Sequence, residues 1–216
     1  MGNHSAQPPN EAELLGARLR SGDRSALAGL FQYHRDRLLR MVDLRLDGRV
    51  RARLDPADVL QDAYVDASNG LNDYVRDPRL PPFLWLRLIV AERIAVTHRQ
   101  HLGAKMRDAG REVSLYREAL PEASTAALAS MLLGRLTTPT QAAQRAERLL
   151  RIQEALNSLD PIDREVLALR HFEQLNRAET AESLGISEEA GAKRYIRALK
   201  RLKDVMAKMP GGLEGF

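Results

Sequence analysis

The sequence predicts an all-α protein: two small helical domains joined by a linker, the second ending in a pair of helices set across a tight turn. Three observations lead there. Leucine and alanine recur at the three- and four-residue spacing of a helix face through most of the 216 residues, while aromatic residues, only 5% of the chain, nowhere join β-branched ones in strand-like alternation. Asp55-Pro56-Ala57-Asp58 and Asp160-Pro161-Ile162-Asp163 write the same helix start twice: a capping carboxylate, a proline where no backbone donor is needed, and a second carboxylate facing the positive helix end. Between them, from Arg111 to about Thr140, an Ala/Ser/Thr/Leu-rich stretch punctuated by Pro121, Gly134 and Pro139 separates two leucine-patterned regions.

The elements follow in order. A polar tail, 1–10, leads into a short helix from Glu11 to about Leu19, which Ser21-Gly22-Asp23 stops. Asp23 caps a long second helix whose Leu27, Leu30, Phe31, His34, Leu38, Met41 and Val42 form one apolar stripe, with His34 at the edge of the core. The third helix runs from Pro56 to about Tyr74. Asp77-Pro78 and Pro81-Pro82 break the chain before a fourth, which opens with Phe83-Leu84-Trp85-Leu86 and turns basic by Arg93. A first domain spans 11–108 and a linker 109–140, with a short helix expected around Ala123 to Leu133. A second domain spans 141–208, its first helix carrying Leu149, Ile152, Leu156 and Leu159, and 209–216 is a tail.

Composition limits what such a protein does. With 44% hydrophobic and 29% charged residues and a net charge of +4, the chain has enough apolar surface to fold. It has no cysteine, which excludes a disulfide framework, a thiolate zinc site and a cysteine nucleophile, and suits a reducing compartment. Neither a secretory leader nor a run of ~18 uncharged apolar residues is present, so the expected setting is the cytoplasm.

The most specific local signal lies between Asn176 and Leu202. Asn176 and Glu179 stand at capping-box spacing, Gly185 can end their helix in the left-handed conformation, Ile186 fills the corner, and Ser187 caps the next helix ahead of Glu188 and Glu189. Two helices across a short Gly-containing turn form a helix-turn-helix, whose second helix enters a DNA major groove. Between 193 and 208, Lys193, Arg194, Arg197, Lys200, Arg201, Lys203 and Lys208 face only Asp204. Tyr195, Ile196, Leu199, Leu202 and Met206 are expected on the apolar side of that helix, leaving the cations on a strip that can hold phosphates and read guanine edges.

In this order the features resemble the bacterial RNA polymerase sigma factors, specifically the two-domain extracytoplasmic-function group, over roughly residues 14–205. Gly22-Asp23-Arg24-x-Ala26-Leu27 and Leu30-Phe31 are similar to the family's opening, Asp58-Val59-Leu60-Gln61-Asp62 to its acidic core-binding motif, and Phe83-x-Trp85-Leu86 to the start of its promoter-melting helix. Leu159-Asp160-Pro161-x-Asp163-Arg164-Glu165-Val166-Leu167, Glu179-x-Ala181-x-x-Leu184-Gly185-Ile186-Ser187 and Lys193-Arg194-x-x-Arg197-Ala198-x-x-x-Leu202 resemble its promoter-reading domain. The resemblance implies a factor, not an enzyme, that binds core RNA polymerase, selects promoter DNA and helps to open it without a cofactor.

It assigns core-polymerase binding to Asp58, Gln61 and Asp62, whose i, i+4 carboxylates and adjacent amide share one helix face. To the minus-ten element it assigns Trp85, Arg87, Arg93, Arg99, Lys105 and Arg107. Two fates are open to Trp85: packing in the first domain's core, or bordering the unpaired strand where aromatics stack on bases. The minus-thirty-five element falls to Lys193, Arg194, Arg197, Lys200 and Arg201. Glu92 and Val96 stand where the family commonly has Asn and Asp. Gly191 interrupts the recognition helix where an apolar residue is usual, weakening it by ~1 kcal/mol relative to Ala.

The group adds an anti-sigma protein as a partner, and the linker's Ser124, Thr125, Ser130, Thr137, Thr138 and Thr140 offer substrates to a regulatory kinase. A helix-turn-helix activator that binds DNA without polymerase is the competing reading, and a helical adaptor a third. His98 and His101, i, i+3, lack a third metal ligand nearby, and no nucleophile elbow, phosphate loop or dinucleotide fingerprint occurs.

Overall fold

The computed structural model describes residues 11–102, 121–134 and 142–208, and all of its regular elements there are helical. The N-terminal half holds α1 (Glu11–Arg20), α2 (Ala26–Tyr33), α3 (Arg35–Arg45), α4 (Gly48–Arg51), α5 (Pro56–Arg76) and α6 (Pro82–Leu102). The C-terminal half holds α7 (Thr125–Gly134), α8 (Ala142–Asn157), α9 (Pro161–Leu167), a π-helical turn (Ala168–Phe172), α10 (Arg177–Leu184) and α11 (Glu188–Ala207). The tails 1–10 and 209–216 lie outside the described residues. No helix among the described residues is long and apolar enough to cross a membrane.

Both Asp-Pro starts cap as their chemistry requires. The Asp55 carboxylate accepts from the Ala57 N–H at 2.8 Å, and that of Asp160 from the Ile162 N–H at 3.0 Å. The stripe from Leu27 to Val42 is buried as expected, but the single long helix divides into α2 and α3 at His34, whose backbone leaves the helical region at φ −94°, ψ 3°. The His34 ring is buried there, 4.4 Å from the Phe83 ring, and the Arg37 guanidinium stacks 3.7 Å above the same Phe83. Gly29 lets α1 and α2 approach: a Cβ there would stand 2.9 Å from Leu15 Cδ2.

α5 and α6 pack against each other and against α3. Leu84, Leu86, Val90 and Ile94 of α6 are wholly buried, each worth about 2 kcal/mol in area removed from water. Two hydrophobic clusters form, and neither respects the boundary between the halves. Val166, Leu169, Leu175 and Leu184 belong to the same cluster as the α2, α3, α5 and α6 core. Leu44, at the end of α3, belongs to the cluster of α7, α8 and α11, and its carbonyl accepts from the Ser124 N–H at 2.8 Å. The expected short linker helix therefore exists as α7 and packs as part of the C-terminal core.

Candidate nucleic-acid interface and acidic docking face

The helix-turn-helix is assembled as its local chemistry demands. Asn176 Oδ1 accepts from the Glu179 N–H at 2.8 Å, and the Glu179 carboxylate accepts from the Asn176 N–H at 2.8 Å, closing a capping box at the start of α10. Gly185 ends α10 at φ 63°, ψ 34°, and the Ile186 N–H donates back to the Ala181 carbonyl at 3.1 Å. Ser187 Oγ then accepts from the Ala190 N–H at 3.2 Å and starts α11.

Gly191, Ala198, Leu202 and Met206 form the buried seam of α11. The expected apolar side is thereby corrected. Leu202 and Met206 are buried as expected and Tyr195 is half-buried, but Ile196 and Leu199 are exposed, at 66% and 38%, because the seam continues from Leu202 through Ala198 and Gly191 instead. Lys193, Arg197, Lys200 and Arg201 are exposed beside Ile196 and Leu199, so the outward surface of α11 is a cationic strip with two branched apolar side chains in it. Sequence reasoning missed Ile196 as a surface residue; only the preference of the seam for Ala198 could have shown it. Lys193 is also paired with Glu189 at 2.6 Å, both exposed.

Arg194 has a different position. Its Nη1 donates to Asp163 Oδ1 at 2.8 Å, and Asp163, second carboxylate of the α9 start, is wholly buried. Arg197 Nη1 lies 3.7 Å from the other Asp163 oxygen. Arg194 thus anchors α11 onto α9, and Arg197 straddles that anchor and the exposed strip.

On the opposite half, Asp58, Gln61 and Asp62 are all exposed on one face of α5, as their spacing required, and Val65 is exposed one turn on at 52%. Across from them Arg93 Nε donates to Asp66 at 2.7 Å, with Asp62 3.9 Å from Arg93 Nη1. Partial burial and then the Asp66 charge push the Glu92 carboxyl above its usual range. Val96 is half-buried on the same helix.

The α6 residues assigned to the minus-ten element separate into three groups. Arg99 is exposed. Arg93 is exposed in part but engaged by Asp66. Trp85 and Arg87 are buried: the Trp85 ring stacks on Tyr74 at 4.1 Å and 14°, the core alternative for that residue. Arg87 is wholly buried, and its Nε donates to Glu173 at 2.9 Å. Glu173 lies 86 positions away in sequence, which no local pattern could reveal. Lys105 and Arg107 lie outside the described residues. His98 is buried, and its Nε2 accepts from the Asp47 N–H at 3.0 Å; burial first, and then Arg49, lower its pKa against the opposing Asp47 charge. No cluster of His, Cys, Asp and Glu among the described residues could hold a metal.

Comparison with known proteins completes the description. Residues 149–202 match the family model described as "Sigma-70, region 4". The chain is 32% identical over 184 residues to the ECF RNA polymerase sigma factor SigD of Mycobacterium tuberculosis strain H37Rv, covering 85% of this chain and 78% of that protein. It is 29% identical over 196 residues to the RNA polymerase sigma factor NccH of Alcaligenes xylosoxydans xylosoxydans, covering 90% and 94%. Among solved structures it is similar in fold to CnrH in complex with the cytosolic domain of CnrY, with a TM-score of 0.51 and 24% identity over 91% of this chain and 97% of that one.

Proposed function

The chain belongs to the extracytoplasmic-function RNA polymerase sigma factors, a family of transcription initiation factors that direct polymerase to promoters, and from that premise we propose how its parts divide the work. Residues 11–108 form the domain that binds core polymerase and the minus-ten element. Residues 141–208 form the domain that binds the minus-thirty-five element, and 109–140 link the two. The observation that carries this reading is the outward surface of α11: a helix-turn-helix closed by its own caps, with Lys193, Arg197, Lys200 and Arg201 exposed along the second helix.

α11 lies in the major groove, its lysines and arginines set against phosphates and base edges and Ile196 against a thymine methyl. Arg194 positions the helix through Asp163 rather than touching DNA. Asp58, Gln61 and Asp62, with Val65 beside them, meet a basic surface of core polymerase. Arg99, Lys105 and Arg107 carry phosphates near the minus-ten element. Arg93 and Arg87 join them only when their carboxylate partners let go, and Trp85 supports the site from the core. The protein works in the cytoplasm without catalytic chemistry of its own. Its activity is restrained by a protein partner of the kind with which CnrH was solved, or by phosphorylation in the linker, where the Ser124 hydroxyl caps α7 through the Ala127 N–H at 3.3 Å.

Run-off transcription tests the reading. Core polymerase freed of its own sigma factor is given a genomic fragment library with and without this protein. Discrete new starts sharing two upstream elements are expected. Tight duplex binding without polymerase, and no new starts from a core that accepts a control factor, would replace this reading with that of an activator.

A further inference from the structure

A pocket of about 170 Å³ opens at the elbow of the helix-turn-helix, between the π-helical turn, α10 and α11. Gly191 makes room for it. This glycine is buried on the inner side of α11, yet a Cβ built there would find a single atom within 4 Å, Ile186 Cδ1 at an ordinary 3.8 Å. The space a side chain would take at the bottom of the elbow is therefore open, and Ala192 beside it is also small.

The walls have two characters. Tyr195 and Ile196 make one side apolar, and Arg170 and Arg177 make the other cationic. Arg170 Nη1 donates to the Leu175 carbonyl at 2.7 Å, and its guanidinium stands 5.6 Å from the centre of the Tyr195 ring, which fixes that charge at the pocket with other N–H groups to spare. Arg177, the first residue of α10, is exposed and has neither a hydrogen bond nor an ion pair among the described residues. Glu188 is the lining's one carboxylate against these two guanidiniums, so the pocket carries one net positive charge.

Size and charge together select a ligand class. An apolar cavity of about 150 Å³ holds a benzene ring, and small-molecule sites pair an apolar lining with a few placed polar groups. A guanidinium presents a fork of donors that matches a carboxylate. One ring and one negative charge fit this pocket, whereas a second negative charge would face Glu188 without a partner.

We propose that the elbow pocket is a binding site for a small aromatic carboxylate: the ring lies over Gly191 against Tyr195 and Ile196, and the carboxylate is held by Arg177 and Arg170. Ile196 belongs both to the pocket and to the outward surface of α11. An anion bound there lowers the positive potential of the cationic strip and crowds Ile196, so occupancy weakens promoter binding. That effect on DNA rests on the proposed role of α11; the site itself does not.

The test uses the full-length protein with benzoate as probe, benzyl alcohol as the uncharged ring and acetate as the charge without a ring. Ligand-observed NMR, without polymerase or DNA, is expected to show benzoate saturating one site, with the other two probes bound about tenfold more weakly. Gly191→Leu, which fills the pocket, and Arg177→Met, which removes its free cation, should each weaken benzoate by about tenfold, with helix content unchanged by circular dichroism. Equal binding of the three probes, or benzoate affinity unchanged in both variants, overturns the site and leaves the sigma-factor reading untouched. Run-off transcription from a start that depends on the protein should then fall several-fold with saturating benzoate in the wild type and hold steady in Gly191→Leu. Equal inhibition of wild type, Gly191→Leu and a control sigma factor overturns the effect on DNA. Loss of promoter binding in Arg177→Met, alongside a wild type that binds no benzoate, makes the pocket a DNA phosphate contact and overturns the small-anion site. No protein-dependent start from a competent core would strike at the sigma-factor reading and the effect on DNA, while the NMR titrations still decide the site.

Discussion

Gly191 shows how a single residue can be read one way in sequence and another in structure. The sequence reads Gly191 as a weak point in the recognition helix, and within the fold a Cβ at 191 would meet only Ile186 Cδ1, at an ordinary 3.8 Å. Gly191→Ala is therefore expected to raise stability by up to about 1 kcal/mol, seen as a higher midpoint in urea unfolding, because the helix loses its most flexible residue and nothing has to move. His34 gives a second prediction. Burial first, and then the Arg37 charge, lower its pKa from 6.5 to about 4. The folded protein thus binds fewer protons than the unfolded chain between those values. Its stability is full well above pH 6.5 and declines by about 3 kcal/mol as pH falls to about 4. Unfolding titrations across that range should show the slope, and His34→Leu should flatten it.

At the scale of elements, what was legible in the sequence is what is decided within a few residues. The Asp-Pro starts, the Asn176–Glu179 capping box, the left-handed Gly185 and the Ser187 cap all appear where neighbouring side chains put them. Asn176→Ala should cost about 1 kcal/mol of stability by opening the box, measured by thermal unfolding. What was illegible is what distant residues decide. The His34–Phe83 ring contact joins residues 49 positions apart, and the outward turn of Ile196 depends on a seam chosen by α9 and α8. The acidic face of α5 is an intermediate case, since spacing alone put Asp58, Gln61 and Asp62 together, while the exposed Val65 emerged only with the fold. Asp58→Ala with Asp62→Ala is expected to weaken polymerase association several-fold while leaving the melting temperature nearly unchanged, as befits exposed charges. Unaltered association in a pull-down titration would place the polymerase contact on another face.

For the whole molecule, the sequence suggested two domains on a linker, and the helical architecture agrees, but the cores are shared across that division. Arg87 was expected at the minus-ten element and Arg45 carried no motif, and their burial against Glu173 is a property of the assembled chain alone. Burial by itself would push the Glu173 carboxyl up, but the Arg45 and Arg87 guanidiniums outweigh it and hold the group ionised below the usual range. The charge of α11 predicts a further whole-molecule property. If its cations lie on phosphates, Lys200→Ala and Arg201→Ala should each reduce the salt dependence of promoter binding by about one unit of slope, with little change in which promoters are chosen.

The most direct measurement is run-off transcription from a genomic fragment library by core polymerase, with and without the protein. The account predicts discrete starts that depend on the protein and share an upstream pair of elements. Transcription that stays at background, from a core that responds to a control sigma factor, would contradict it.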